Sequence, residues 1–163
     1  MNDERATVER AGLTIERRYR ARIQDVWQLW TTREGFESWW GPRGFRAEVR
    51  TTDARVGGSL EYEMIADSAE MIAAMTQAGQ PLSHGVSARF TELRENERLV
   101  LTSVIDFLPG VAPYSSDIAV DLRVEGDAVL MVVTLSGMHD AQFTKMQKDG
   151  FTSQLTKLDA RFG

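Results

Sequence analysis

Two adjacent tryptophans run straight into a helix stop, Trp39-Trp40-Gly41-Pro42. Eleven residues further on, Asp53-Ala54-Arg55-Val56-Gly57-Gly58 supplies an acid, a base and a glycine pair. Proline cannot continue a helix, because it lacks the backbone donor and clashes with the preceding turn. A glycine pair permits the positive φ or the bulge at which a chain reverses. Helix, stop, strand, tight reversal and second strand are therefore laid down in that order over residues 33–64. The two strands carry Phe45, Ala47 and Val49, then Leu60, Tyr62 and Met64 on their apolar parity.

Upstream, Leu13, Ile15, Arg17, Tyr19 and Ala21 share one parity against Thr14, Glu16, Arg18 and Arg20, which predicts a strand with one buried face. Ile23, Val26, Trp27 and Trp30 then adopt helical spacing. Thr31-Thr32-Arg33-Glu34 has the capping-box form, which places the start of a second short helix at Thr31, with Phe36, Trp39 and Trp40 on its face. Met71, Ile72 and Met75, followed by Gly79-Gln80-Pro81, predict a short amphipathic helix between Asp67 and Ala78. Four further strands follow, marked by Val86–Phe90, Leu99–Phe107, Ile118–Val124 and Val129–Leu135. Residues 107–116, rich in turn formers, read as a long loop. Asp140 is a good N-cap for a final helix whose face is Phe143, Met146, Gln147, Gly150, Phe151, Gln154, Leu155, Leu158 and Phe162.

Composition narrows the function classes. Hydrophobic residues make up 42% of the 163 residues and charged ones 26%, which are values of a globular chain rather than a disordered one. The formal charge of −5 argues against a general nucleic-acid binder, and Arg17, Arg18, Arg20 and Arg22 read as a solvated strand edge. No apolar run approaches the ~18 to 20 residues needed to span a bilayer. The N-terminus is charged from its third residue and lacks the apolar centre of a signal peptide. Cysteine is absent, which excludes disulfides and fits a reducing compartment. A cytoplasmic location is expected.

Val26-Trp27, the Trp39–Pro42 run and the Asp53–Gly58 turn together resemble the family of homologues of the activator of the ninety-kilodalton heat-shock protein ATPase. The likeness runs from about Leu13 to Phe162. That family belongs to the START-like, helix-grip superfamily, also called SRPBCC, of hydrophobic-ligand binders and polyketide cyclases. The resemblance implies an α+β, birch-pollen-allergen-like fold: a curved, seven-stranded antiparallel sheet wrapped on a long C-terminal helix, with two short helices after the first strand. Residues 1–12 are expected to form a charged extension and residues 13–163 one domain, with 67–79 a helical insertion into a usually shorter hairpin. Arg17 matches an arginine that the family carries before the first helix, Arg22 stands where proline is usual, and Gly150-Phe151 where the family pattern has Gly-Trp. In the eukaryotic activator this fold is one domain of a two-domain chain. The present sequence is expected to hold that one domain, so the co-chaperone activity does not come with the resemblance.

Enzyme motifs are missing: there is no nucleophile elbow, phosphate-binding glycine loop or histidine-rich metal spacing. No catalytic residue, metal or cofactor is assigned. His139 reads as a turn residue beside the last helix. Arg17 on an inner face calls for a paired acid, Asp53 or another carboxylate, and Asp53 with Arg55 reads as a turn-fixing pair. A cavity between sheet and last helix is expected, lined by Tyr62, Met64, His84, Phe90, Leu101, Ser103, Met131, Phe143, Gln147, Phe151 and Leu155. Trp39, Trp40 and Phe107 are expected at its rim. This mixture of apolar walls with a few polar groups suits a small hydrophobic or amphipathic ligand. Two alternatives stand beside that reading. One is an enzyme of the cyclase, dehydratase or hydrolase kind using His84, Tyr62, Arg17 or Asp106. The other is a stress-related protein-interaction module.

Overall fold

The computed structural model describes residues 12–105 and 110–162. The chain runs β1 (Leu13–Tyr19), α1 (Ile23–Thr31), α2 (Arg33–Glu37), β2 (Phe45–Thr52), β3 (Ser59–Ala66), α3 (Ala69–Gln77), β4 (Ser83–Arg94), β5 (Arg98–Ile105), β6 (Tyr114–Glu125), β7 (Ala128–Leu135) and α4 (Ala141–Phe162). Seven antiparallel strands form one sheet in the order β1-β7-β6-β5-β4-β3-β2, with the long α4 against its concave face. This is the helix-grip, α+β architecture. Because β1 and β2 are opposite edges, the segment between them must cross from one side of the sheet to the other, and α1 and α2 make that crossing.

Parity decides what the concave face carries. Tyr62 lies opposite Val86, Phe90 opposite Leu101, Ser103 opposite Ser116, and Leu122 opposite Met131. The other parity faces outward and is tied by surface pairs such as Arg98 with Asp121 at 2.7 Å. Two bulges, at Val49/Thr51 and Phe90/Glu92, add bend to the sheet. Gly57, at φ 84°, makes the β2–β3 reversal, and Gly58 has no room for a side chain, since a Cβ there would stand 1.9 Å from the Asp53 carbonyl oxygen.

The capping of α2 differs from the expectation by one residue. Thr32, not Thr31, is the N-cap, its Oγ1 accepting the Gly35 N–H at 3.0 Å. Thr31 ends α1 and donates its hydroxyl to the Trp27 carbonyl at 3.0 Å. Thr32 wins the cap because it has the extended backbone (φ −114°, ψ 155°) that a cap needs. The predicted helix after Met64 is present as α3, capped by Ser68. It buries no residue fully, and Met71 lies over Gly44.

Candidate functional site

Helix α4 is held at three places along its length. Asp140 caps its first turn, accepting the Phe143 N–H at 2.8 Å, while the Met138 N–H donates to Thr144 Oγ1 at 2.9 Å. Around the middle, Gln154 Oε1 accepts the Gly41 N–H at 3.0 Å, and Lys157 Nζ donates to the Gly41 carbonyl at 2.8 Å. Burial holds the Lys157 ammonium below its ordinary pKa, with the charge of Asp67 opposing the shift. At the far end, Asp159 accepts from the Tyr19 hydroxyl at 2.7 Å and pairs with Arg17 at 3.3 Å. Arg17 thus has the acid its inner parity demands, though that acid is Asp159. Asp53 is taken by its neighbour Arg55 at 2.8 Å.

Between the first and second anchors the helix stands off the sheet. Its buried residues are Phe151, Gln154, Leu155 and Leu158, all in the second half. In the first half, Met146 is 59% exposed, and a Cβ added to Gly150 would touch nothing within 4 Å. Phe143 and Gln147 look across a gap at strands β4, β5 and β6. The resulting space of about 880 Å³ is bordered on the concave side by Val86, Ala88, Ile105 and Ile118 below and by Met138, Phe143, Met146 and Gln147 above. His84, Ser103 and Ser116 add polar groups. Ser59, Glu61, Ser87, Arg89, Thr91, Thr102 and Val104 border it from the convex parity, so only part of that volume lies under the helix. Gln147 borders the space, and its Oε1 is closed to water with no hydrogen-bond partner among the described residues. Such an unmade bond is costly and uncommon among buried polar atoms.

Of the residues expected to line a cavity, His84, Ser103, Phe143 and Gln147 border this cleft. Tyr62, Phe90, Leu101, Met131, Phe151 and Leu155 are buried in the packed core, and Met64 is half-buried against it. Trp39 and Trp40 are not at a rim. They are 0% and 5% exposed and join Trp30, Phe36, Tyr62 and Phe151 in an aromatic cluster with ring centroids 4.5 to 6.3 Å apart. Helix α2 ends at Glu37, so the two tryptophans sit on a turn and escape the helical rule that would have sent one of them outward. Trp39 Nε1 donates to the Leu29 carbonyl at 2.9 Å and Trp40 Nε1 to the Tyr62 hydroxyl at 3.0 Å. Burial pushes the Tyr62 phenol up to about 12. Phe107 and Asp106 lie outside the described residues. Reasoning from sequence did not assign Val86, Ala88, Ile105, Ser116, Ile118, Met138 or Met146 to the cleft. Ser116 could have been found from Ser103, its direct partner across β5 and β6.

A polar cluster sits where α4 begins. The Tyr114 hydroxyl lies 3.1 Å from His139 Nδ1 and accepts the His139 backbone N–H at 3.1 Å. His139 Nε2 lies 3.4 Å from Asp140 Oδ2, and the imidazole packs on Phe143, which borders the cleft. Among the described residues no helix is long and apolar enough to cross a membrane.

The fold recurs in solved structures. A Chromobacterium violaceum protein is 24% identical, with a TM-score of 0.74 over 93% of this chain and 96% of its own. An Arthrobacter aurescens protein is 21% identical, with a TM-score of 0.71 over 94% and 86%. The AHSA1 protein of Silicibacter pomeroyi is 17% identical, with a TM-score of 0.71 over 93% and 96%. No curated protein gives a significant match. The family model described as activator of Hsp90 ATPase homolog 1-like protein matches residues 20–163. With the tryptophan turn, the edge-to-edge helical crossing and the long gripping helix all in place, the chain belongs to the family of activator of Hsp90 ATPase homolog 1-like proteins.

Proposed function

We propose that this protein binds a small hydrophobic or amphipathic molecule in the cleft between the first half of α4 and strands β4, β5 and β6. One observation carries the reading: α4 leaves Val86, Ile105 and Ile118 only half covered, beneath a helix that is anchored on either side of the gap. A molecule lying there would take this apolar surface out of water at about 25 cal/mol per Å².

A second reading, an acid–base enzyme, has the Tyr114, His139 and Asp140 cluster in its favour. Those contacts also tie the first turn of α4 to β6, which accounts for them without chemistry, so binding is the reading adopted. The test is fluorescence titration with the uncharged dye N-phenyl-1-naphthylamine. The dye should bind the parent, and Ser103→Trp, which projects an indole into the gap from a half-buried position, should weaken it by about tenfold or more. Equal binding to parent and variant, or none to either, would overturn the proposal.

A further inference from the structure

We propose that Met146 is a redox-sensitive modification site. Hydrogen peroxide converts its thioether to a sulfoxide, which makes part of the helix side of the cleft polar and lowers its affinity for an apolar molecule. This rests on the binding reading above and adds to it a means of control.

Sulfur chemistry in this chain is confined to thioethers, since it has seven methionines and no cysteine. With no thiolate to react first, a peroxide meets methionine. Exposure then singles out one of the described methionines. Met131 is 0% exposed, Met64, Met71, Met75 and Met138 are half-buried, and Met146 is 59% exposed. The half-buried ones have neighbours over them: Met64 lies against Gly41, Met71 against Gly44, and Met138 Sδ accepts from the Tyr114 hydroxyl at 3.8 Å. One turn beyond Met146 stands Gly150, with open space beside it, so no side chain at that position shields the thioether.

The step balances without a cofactor. A sulfur lone pair attacks one oxygen of hydrogen peroxide, the S–O bond forms and the O–O bond breaks. The departing hydroxide takes the proton of the transferred oxygen and leaves as water. Sulfur is oxidised by the two electrons that reduce the peroxide, and methionine sulfoxide reductases reverse the change.

Position gives the modification its consequence. On the sheet side the concave wall of the cleft holds Val86, Ala88, Ile105 and Ile118, which peroxide leaves alone. On the helix side its apolar residues are Met138, Phe143 and Met146, so the oxidisable groups are gathered on α4 and the segment leading into it. Met146 both meets water and borders the space. A sulfoxide there is hydrated while the cleft is empty. It must give up part of that hydration when an apolar molecule lies against it, and such a molecule offers no donor in return.

The test treats the full chain with graded hydrogen peroxide, maps the sulfoxides by peptide mass spectrometry and titrates each sample with N-phenyl-1-naphthylamine. Met146 should be oxidised first and Met131 last among the described methionines. Dye affinity should fall by about fivefold in step with Met146 sulfoxide, the usual worth of a polar group covered without a partner, and treatment with a methionine sulfoxide reductase should restore it. For Met146→Leu the ratio of affinities before and after peroxide should stay near one, whereas Met138→Leu should remain sensitive. Without oxidant, Met146→Gln should bind the dye more weakly than Met146→Leu. The proposal is overturned if another described methionine reacts faster, if full oxidation of Met146 leaves dye affinity unchanged, or if Met146→Leu loses affinity on oxidation as the parent does. Any of these, with the dye bound before treatment, leaves the cleft a binding site. Absence of dye binding before peroxide is added removes the binding reading and this proposal with it.

Discussion

Tyr62 shows how a single buried oxygen is used here. Its hydroxyl accepts the indole N–H of Trp40 in a site closed to water, so removing that oxygen strands a buried donor. Tyr62→Phe should therefore cost about 1 to 3 kcal/mol at neutral pH, although it deletes one atom, and thermal denaturation reads this directly. The same burial has a pH consequence. The phenol ionises near 10 when exposed and only near about 12 in the folded chain, so its stabilising effect is complete below pH 10 and is lost as pH rises toward 12. Tyr19 is shifted in the same direction by burial and by Asp159. Alkaline titration should show phenolate absorbance from these two tyrosines appearing together with unfolding, and Tyr62→Phe should make the loss of stability above pH 10 shallower. Phenolate absorbance developing fully in a protein that stays folded would contradict the burial.

Helix α4 divides into a seated half and a suspended half, and Gly150 marks the border. Glycine inside a helix is less favourable than alanine by roughly 1 kcal/mol because it has more backbone freedom to lose. The open space beside it means that alanine would meet nothing. Gly150→Ala should raise the melting temperature by about 2 to 4 °C, the usual response of a domain of this size to ~1 kcal/mol. A fall would mean that the helix approaches the sheet more closely than the structure shows. The other helices illustrate what local pattern can and cannot say. The start of α2 was legible to within one residue, but a Thr-Thr pair offers two caps, and only the backbone conformation chooses between them. The tryptophan pair was legible as part of the apolar face of that helix, but both members were expected at a cavity rim and both are buried. The misplacement arose because helical periodicity was extended past Glu37 into a turn where it no longer applies.

At the scale of the whole molecule, strand parity made the concave face legible residue by residue, since a period of two leaves only two choices. It could not say how far α4 would lie from that face. Hence His84 and Ser103 border the cleft while Phe90, Leu101 and Met131, on the same face of the sheet, are packed in the core. The distance is set by side-chain volumes. Three tryptophans, Phe36 and Phe151 fill the region near α1 and α2, and the small or half-covered Ala88, Ser103 and Ser116 leave the region near β5 and β6 underfilled. A helix lying across an unevenly filled sheet has unequal protection along its length. Backbone amides of residues 145–150 should exchange with deuterium faster than those of 151–158, because fewer contacts must be broken to open them. An occupant of the gap should slow the first group and leave the second nearly unchanged, so exchange resolved by residue would report occupancy without any label on the ligand. Uniform exchange along the helix would show that its first half rests on the sheet as firmly as its second.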